Sequence, residues 1–98
     1  MGSSSEVERR QVIYQGHVQG VGFRFTTVSI ARRYAVTGYV CNLPDGRVQL
    51  VAEGDKRELD QFLADLAAAM SGYIRNAKVD RRAATGEFDG FGVRHGTG

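Results

Sequence analysis

Two glycines, Gly20 and Gly22, interrupt the chain where an alternating strand pattern gives way to a helical one. The strand pattern covers residues 11–18, and the helical pattern begins at Phe23. Glycine has no Cβ, so it adopts positive φ values that other residues avoid. The sequence therefore predicts a strand that passes into a helix through a tight, glycine-dependent loop.

The segment from Gly16 to Arg24, which we call the glycine loop, has the features of an anion site. Its glycines allow successive N–H groups to point to one side, and such N–H groups bind anions. The N-terminus of the following helix adds a partial positive charge. Arg24 lies in the first helical turn and supplies a planar guanidinium that fits phosphate oxygens. Phosphate is the anion that these features favour.

Two common phosphate motifs do not match the glycine loop. A Walker loop ends in Gly-Lys-Ser/Thr, and no lysine follows these glycines. The dinucleotide fingerprint needs a third glycine at the position of Phe25. If the two glycines stood alone, an ordinary strand-to-helix turn with a solvated arginine would be the simpler interpretation.

A second segment, Gly38-Tyr39-Val40-Cys41-Asn42, makes the interpretation of the glycine loop more specific. Together the two segments resemble the acylphosphatase family, which carries Gly-x-Val-Gln-Gly-Val-x-Phe-Arg followed by Gly-aromatic-Val-x-Asn. The Asp45-Gly46 turn and the run from Val51 to Gly54 match that family as well, and the resemblance covers residues 10–94. It implies a hydrolase that cleaves the carboxyl–phosphate bond of acyl phosphates.

The chain departs from the family pattern at two places. The loop after the second predicted helix has Gly72-Tyr73 where the family usually has Gly-Pro, and Cys41 stands where the family often has a basic or polar residue. The first departure concerns a loop conformation rather than the chemistry. For Cys41 a packing or surface role is expected, since no histidine pattern supports an activated thiolate.

The hydropathy patterns predict the order β-α-β-β-α-β with a possible fifth strand. Strands are predicted at residues 11–18, 38–43 and 47–52, around Ala77, Val79 and Arg81, and at Phe91 and Val93. One helix is predicted from Phe23 to Tyr34, and a second buries Leu59, Phe62, Leu63, Leu66 and Met70. The expected fold is α+β, a ferredoxin-like open sandwich with one antiparallel sheet and both helices on one face.

Local signals mark the element ends. Gly38 is expected to allow the reversal from the first helix into the second strand, and Pro44-Asp45-Gly46 to form a hairpin turn. Asp55 and Glu58 have the spacing of a capping box at the second helix, and Gly72 is expected to end that helix.

The chain of 98 residues suits a single domain. Residues 1–8 are predicted to be a disordered or vector-derived tail, 9–95 the domain, and 96–98 a flexible tail. One cysteine cannot form an internal disulfide, and no signal peptide or membrane-spanning run is recognisable, so a cytoplasmic location is expected. The protein is separately predicted to be a monomer. The net charge of +2 favours small anionic ligands and does not demand nucleic acid.

Asn42 and Val40 share one face of the second strand, because side chains alternate across a strand. If Val40 faces the helices, Asn42 lies on the same side near the glycine loop. An amide can orient a water molecule but cannot act as a strong base. Acyl phosphates suit such a site, because their carboxylate leaving group needs no general acid.

The resemblance and this reasoning assign catalytic roles to Arg24 and Asn42. The predicted phosphate-binding set is Gln19, Gly20, Val21, Gly22, Phe23 and Arg24. The substrate is a small acyl phosphate, the products are a carboxylate and inorganic phosphate, and neither a metal nor a cofactor is expected. His17 is expected to be exposed at the rim of the ligand site, and His95 to be solvated near the tail.

Two other functions remain open at this point. RNA-recognition domains share the topology, but they carry aromatic residues on the central strands, and residues 47–51 contain none. A non-catalytic phosphate or metabolite sensor would use the same loop, and only an assay of phosphate release distinguishes it from an enzyme. Arg32-Arg33 and Arg81-Arg82 are expected to be solvated rather than nucleic-acid contacts.

Overall fold

Five strands and two helices follow one another in the computed structural model, which describes residues 6–95. The elements are β1 (Val7–Gly16), α1 (Phe23–Ala31), β2 (Val36–Asn42), β3 (Val48–Asp55), α2 (Lys56–Ala69), β4 (Ile74–Ala83) and β5 (Phe91–Val93). The predicted order and the possible fifth strand are confirmed. Residues 1–5 and 96–98 of the predicted tails lie outside the described residues.

The strands form one sheet in the order β4-β1-β3-β2-β5. Neighbours among β1 to β4 are antiparallel, whereas β5 pairs parallel to β2, so the sheet is mixed rather than wholly antiparallel as predicted. The reason lies in the connection at residues 84–90, which we call the crossing segment. It carries the chain from β4 at one edge of the sheet to β5 at the other.

The core lies between one sheet face and both helices, as predicted. Its sheet side includes Val12, Tyr14, Val40, Leu50 and Ala52, and its helix side includes Phe23, Ile30, Leu59, Phe62 and Leu66. Full burial of one such large apolar side chain stabilises a fold by about 1.5–3 kcal/mol. Leu63, expected in the buried stripe of α2, is only partly buried. No helix within residues 6–95 has the length and apolar character needed to cross a bilayer.

Strand β1 begins earlier than the sequence pattern predicts. Val7 and Glu8 of the predicted tail pair with Asp55 and Gly54 of β3. This half of the strand is strongly polar, and its charges are neutralised by distant partners. For example, the Glu8 carboxylate accepts from Arg81 at 3.2 Å, an ion pair that lowers the pKa of Glu8 to about 2.

Gly38 lies inside β2 and not at its start, so its predicted role in the chain reversal is wrong. Its φ is 138°, and a Cβ at this position would lie 2.8 Å from the carbonyl carbon of Val51. The close approach of β2 and β3 is therefore what requires glycine here. The Gly38 N–H donates to the carbonyl oxygen of Gly90 at 2.9 Å, next to β5.

The N-terminus of α2 forms half of the predicted capping box. The Asp55 carboxylate accepts from the Arg57 N–H at 2.9 Å, as an N-cap residue does. The Glu58 carboxylate instead accepts from the Ala35 N–H at 2.8 Å. Glu58 thus satisfies a backbone donor between α1 and β2, where the chain actually reverses.

The crossing segment is held on the sheet face opposite the helices by the buried carboxylate of Glu53. This carboxylate accepts from the N–H groups of Thr85 and Gly86, both at 2.9 Å, and from Arg9 Nε at 2.7 Å. Desolvation raises the pKa of Glu53, but the backbone and guanidinium hydrogen bonds outweigh it and lower the pKa to about 2. The Phe88 ring packs edge-on against Tyr39 at 5.8 Å between ring centroids.

Candidate active site

The glycine loop places two glycines in left-handed conformations. Gly20 and Gly22 each have a φ of 79°, yet a Cβ at either position would meet nothing within 4 Å. Backbone conformation, and not lack of space, is therefore what requires glycine here; other L-residues in this region cost roughly 1–2 kcal/mol. The prediction that this turn depends on glycine is confirmed.

Gly22 is the N-cap residue of α1, and the geometry leaves the start of this helix open to an anion. Glycine has no side chain that could accept from the first N–H groups, and the first turn contains no acidic residue. The first intrahelical bond runs from the Thr26 N–H to the Gly22 carbonyl at 2.9 Å. The N–H groups that come before Thr26 in α1 have no acceptor within the helix, so this terminus attracts an anion.

An open cavity of about 440 Å³ lies against this helix start and contains both predicted catalytic residues. Arg24 enters it from the first turn of α1, and Asn42 from the last residue of β2. The residues that line it are Val18, Gly20, Gly22, Phe23, Arg24, Phe25, Val28, Asn42, Val93 and His95. The structure thus brings together two side chains that lie on separate elements.

Strand alternation positions Asn42, as predicted. Val40 is completely buried in the core between sheet and helices. Asn42 lies two residues later, so its side chain falls on the same face. Because β2 ends at Asn42, this residue is only partly buried and borders the cavity instead of the core.

The predicted phosphate-binding set divides into two groups. Gly20, Gly22, Phe23 and Arg24 line the cavity, whereas Gln19 and Val21 are not among its lining residues. Val21 packs against the hydrophobic core. The side chain of Gln19 is bonded instead to backbone carbonyl groups of Leu43 and Arg47.

The side chain of Gln19 joins the glycine loop to the turn between β2 and β3. Its Nε2 donates to the carbonyl oxygens of Leu43 at 2.8 Å and Arg47 at 2.9 Å. The same two residues close the turn, because the Leu43 N–H donates to the Arg47 carbonyl at 2.8 Å. Gln19 therefore fixes the position of the segment that follows Asn42.

Both histidines are exposed, as expected, but His95 and not His17 lines the cavity. His17 lines a separate hollow with Gly16, Tyr73 and Arg75, so it does not rim the cavity that holds Arg24. His95, expected to be solvated near the tail, is exposed but does line that cavity. Its position follows from β5, whose parallel pairing with β2 could not be read from the sequence.

The loop at Gly72-Tyr73 is held without the proline that is usual in the family. The Tyr73 N–H donates to the Met70 carbonyl, and the Tyr73 carbonyl accepts from the His17 N–H, both at 2.9 Å. A proline at position 73 would lack the first of these donors. The chain thus closes the end of α2 and supports the start of the glycine loop with backbone hydrogen bonds.

Cys41 lies on the opposite strand face from Asn42 and is buried. Its Sγ is 3.6 Å from Gln49 Oε1 on the neighbouring strand. Burial raises the pKa of the thiol, although the positive charges of Arg94 and Arg24 partly oppose this. A raised pKa disfavours the nucleophilic thiolate, which agrees with the packing role expected for Cys41.

Acidic, histidine and cysteine side chains do not converge at the cavity. Within residues 6–95, no group of three or more of these residues could hold a metal ion. The polar groups that face the cavity are a guanidinium, an amide, backbone N–H groups and the imidazole of His95. This set can bind an anion and orient a neutral molecule beside it.

Sequence reasoning missed the apolar side of the cavity, which Phe25, Val28 and Val93 form. One signal was available: Phe25 directly follows Arg24 and falls outside the apolar stripe of α1. A large aromatic residue outside the core stripe and next to a predicted anion site indicates that the site has an apolar side. Val93 gave no such signal, because it lies far away in the sequence.

Known proteins resemble this chain over almost its whole length. A family model described as Acylphosphatase matches residues 10–93. An acylphosphatase of Methylococcus capsulatus is 41% identical over 88 residues, which cover 89% of this chain and 96% of that relative. One of Archaeoglobus fulgidus is 50% identical over 54 residues, covering 55% of this chain and 61% of the relative.

Solved structures agree with these relatives. The crystal structure of an acylphosphatase from Bacillus subtilis superposes with a TM-score of 0.80 at 26% identity. The superposition covers 89% of this chain and 98% of that chain. The likeness therefore extends to the complete arrangement of helices and sheet.

Proposed function

The chain belongs to the acylphosphatase family, and from that premise we propose that Arg24 and Asn42 perform its reaction in the cavity beside the glycine loop. As an acylphosphatase it is a hydrolase of the carboxyl–phosphate bond, and its products are a carboxylate and inorganic phosphate. The observation that carries the residue assignment is the convergence of an open helix N-terminus, a guanidinium and an amide in one cavity.

Arg24 and the backbone of the glycine loop hold the phosphoryl group in this proposal. The guanidinium donates two parallel hydrogen bonds to phosphoryl oxygens, and the N–H groups of residues 20–24 donate to the others. Charge moves onto these oxygens as the bond to the leaving group breaks. Donors that are already fixed in place stabilise that charge without reorganising during the reaction.

Asn42 orients the attacking water. Its amide accepts a hydrogen bond through Oδ1 and donates through Nδ2, so it can hold a water in one orientation beside the phosphoryl group. It does not remove a proton from that water. The bond to phosphorus is largely broken in the transition state, so strong activation of the water is unnecessary, and positioning is what lowers the barrier.

The leaving group departs as a carboxylate. Its conjugate acid has a pKa of about 4, so it needs no proton from the protein at neutral pH. The proton that the water loses goes to solvent or to the released phosphate. Each step therefore uses groups that line the cavity, and none requires a metal or a thiolate.

The two alternative functions receive no support from specific observations. Strands β1 and β3 present no aromatic side chain on the face opposite the helices, where an RNA-recognition domain would stack bases. That face carries Arg9, Gln11, Ile13, Gln49, Val51 and Glu53. Family membership favours an enzyme over a non-catalytic sensor.

We further propose that the protein acts as a monomer in the cytoplasm, without nucleic acid. Cys41 is a free buried thiol, which suits a reducing compartment. Light scattering of the purified protein, with and without substrate, tests the monomer directly.

The residue assignment is tested by phosphate release from an acyl phosphate with Arg24→Gln and Asn42→Ala. Arg24→Gln is expected to lower turnover at least hundredfold and to weaken binding of inorganic phosphate, since such a contact contributes about 3 kcal/mol to transition-state stabilisation. Asn42→Ala is expected to lower turnover while phosphate still protects the protein against heat.

Matched controls are Arg57→Gln and Asn76→Ala, which change exposed residues away from the cavity. Both are expected to keep turnover near that of the unchanged protein. A folded Arg24→Gln variant with ordinary turnover would refute the role of Arg24. Equal losses of phosphate binding and turnover in Asn42→Ala would assign Asn42 to phosphoryl binding instead.

A further inference from the structure

The cavity beside the glycine loop has a polar side and an apolar side, and the proposed reaction uses only the polar side. Arg24, Asn42 and the loop backbone hold the phosphoryl group and the water. Phe25, Val28 and Val93 line the rest. The volume of about 440 Å³ falls in the usual range for small-molecule sites and exceeds what a phosphoryl group alone fills.

Phe25 is the most informative residue of the apolar side. Its side chain is 77% exposed, although it is a large aromatic residue and directly follows Arg24. The fold gains little from Phe25, because so much of the ring remains in water. Val28 lies three residues later on the same helix, so both side chains border the same surface. Together they form an apolar strip beside the guanidinium.

Val93, the last residue of β5, contributes the third side chain of the apolar side. It pairs with Val40 in the parallel register of β5 and β2, and the Arg94 N–H donates to the Val40 carbonyl at 2.9 Å. Val93 is therefore fixed beside the strand that ends at Asn42. Its side chain is 38% exposed, so it too presents apolar surface to water at the cavity.

We infer, on the basis of the proposed function, that Phe25, Val28 and Val93 bind the acyl group of the substrate. The substrate class is then acyl phosphates whose acyl group is apolar and either branched or aromatic. Such a group removes the exposed ring of Phe25 from water when the phosphoryl group is on Arg24. An acetyl group has less apolar surface than a branched or aromatic acyl group, so acetyl phosphate gains less from these contacts.

Turnover of two substrates by Phe25→Ala tests the inference. For benzoyl phosphate, kcat/KM is expected to fall about tenfold through KM, because ring contact is lost while the reacting groups are unchanged. For acetyl phosphate, kcat/KM is expected to stay within about twofold. Phe25→Leu is expected to recover part of the loss. Tyr73→Ala, which removes an exposed aromatic from the other hollow, is the matched control.

Binding of non-hydrolysable analogues separates this inference from the proposed function. Benzoylphosphonate is expected to bind the unchanged protein about tenfold more tightly than acetylphosphonate, and Phe25→Ala is expected to abolish the difference. Absence of turnover with a retained, Phe25-dependent binding preference would refute the hydrolytic role and support the subsite. Equal affinity for both phosphonates, or equal losses on both substrates in Phe25→Ala, would overturn the subsite.

Discussion

The side-chain amide of Gln19 donates a hydrogen bond to the carbonyl oxygen of Leu43 at 2.8 Å. Leu43 directly follows Asn42, and Gln19 lies in the loop that leads to Arg24. This contact therefore links the two segments that contribute the proposed phosphoryl and water ligands. Small displacements of reacting groups are costly in catalysis, so the contact is expected to matter for the rate.

Replacement of Gln19 tests this positioning role. Gln19→Met keeps the side-chain length but removes both hydrogen bonds, to Leu43 and to Arg47. We expect kcat to fall about tenfold or more, because Asn42 loses its fixed position relative to Arg24. The affinity for inorganic phosphate is expected to change less than threefold or so, since the loop backbone and Arg24 remain.

The free energy of unfolding is expected to fall by about 1–3 kcal/mol in Gln19→Met, because two carbonyl groups lose a partner. Gln15→Met, on the exposed part of β1, is the matched control and is expected to leave kcat unchanged. Phosphate affinity that falls in proportion to kcat would contradict the positioning role and return Gln19 to the phosphate-binding set.

The ionised carboxylate of Glu53 stabilises the fold, and this stabilisation is lost in acid. The pKa of this carboxyl is lowered from 4.5 to about 2 in the folded protein. Since the folded pKa lies below the ordinary value, the stabilisation is complete above about pH 4.5 and disappears as the pH falls towards 2. A shift of this size corresponds to a stabilisation on the order of 3 kcal/mol at neutral pH.

Glu53→Gln is expected to lose this stabilisation. Urea unfolding at neutral pH should show a lower free energy of unfolding, and the difference from the unchanged protein should shrink below about pH 3. Glu87→Gln, an exposed carboxylate of the same crossing segment, is the control and should change the unfolding free energy by less than about 0.5 kcal/mol. A difference that is independent of pH would show that Glu53 acts through packing and not through its charge.

Local sequence patterns were sufficient to predict much of the fold, the glycine loop and the strand face of Asn42. The apolar spacing of Leu59, Phe62 and Leu66 identified the buried face of α2, because a helix repeats on a scale visible within one segment. Gly20 and Gly22 identified the loop for a similar reason: positive φ is a demand on a single residue. Alternation from Val40 then placed Asn42 on the correct strand face.

Features that depend on distant partners could not be predicted in this way. Gln19 contacts Leu43 and Arg47, which lie 24 and 28 positions further along the chain. Nothing near Gln19 in the sequence therefore reveals these contacts. The start of β1 resembled a tail because Glu8 finds its partner Arg81 only in the folded sheet. The parallel pairing of β5 likewise placed Val93 and His95 at the cavity without any local signal.

Leaving-group acidity provides the sharpest test of the proposed chemistry. Benzoyl phosphate and benzyl phosphate carry the same ring and differ in the leaving group, which is a carboxylate in the first and an alkoxide in the second. The alkoxide needs a proton as it departs, and neither Arg24 nor Asn42 can supply one at neutral pH. We therefore expect rapid release of phosphate from benzoyl phosphate and almost none from benzyl phosphate, although both rings fit the same apolar surface.

His95 is the one titratable side chain among the described cavity-lining residues other than Arg24, so it is the natural suspect if benzyl phosphate is cleaved. His95→Ala is expected to leave turnover of benzoyl phosphate unchanged, and His17→Ala, in the separate hollow, is the matched control. Comparable rates on the two substrates, with benzyl phosphate activity lost in His95→Ala, would identify a general acid. The site would then be that of a broader phosphomonoesterase, because protonation would remove the restriction to acidic leaving groups.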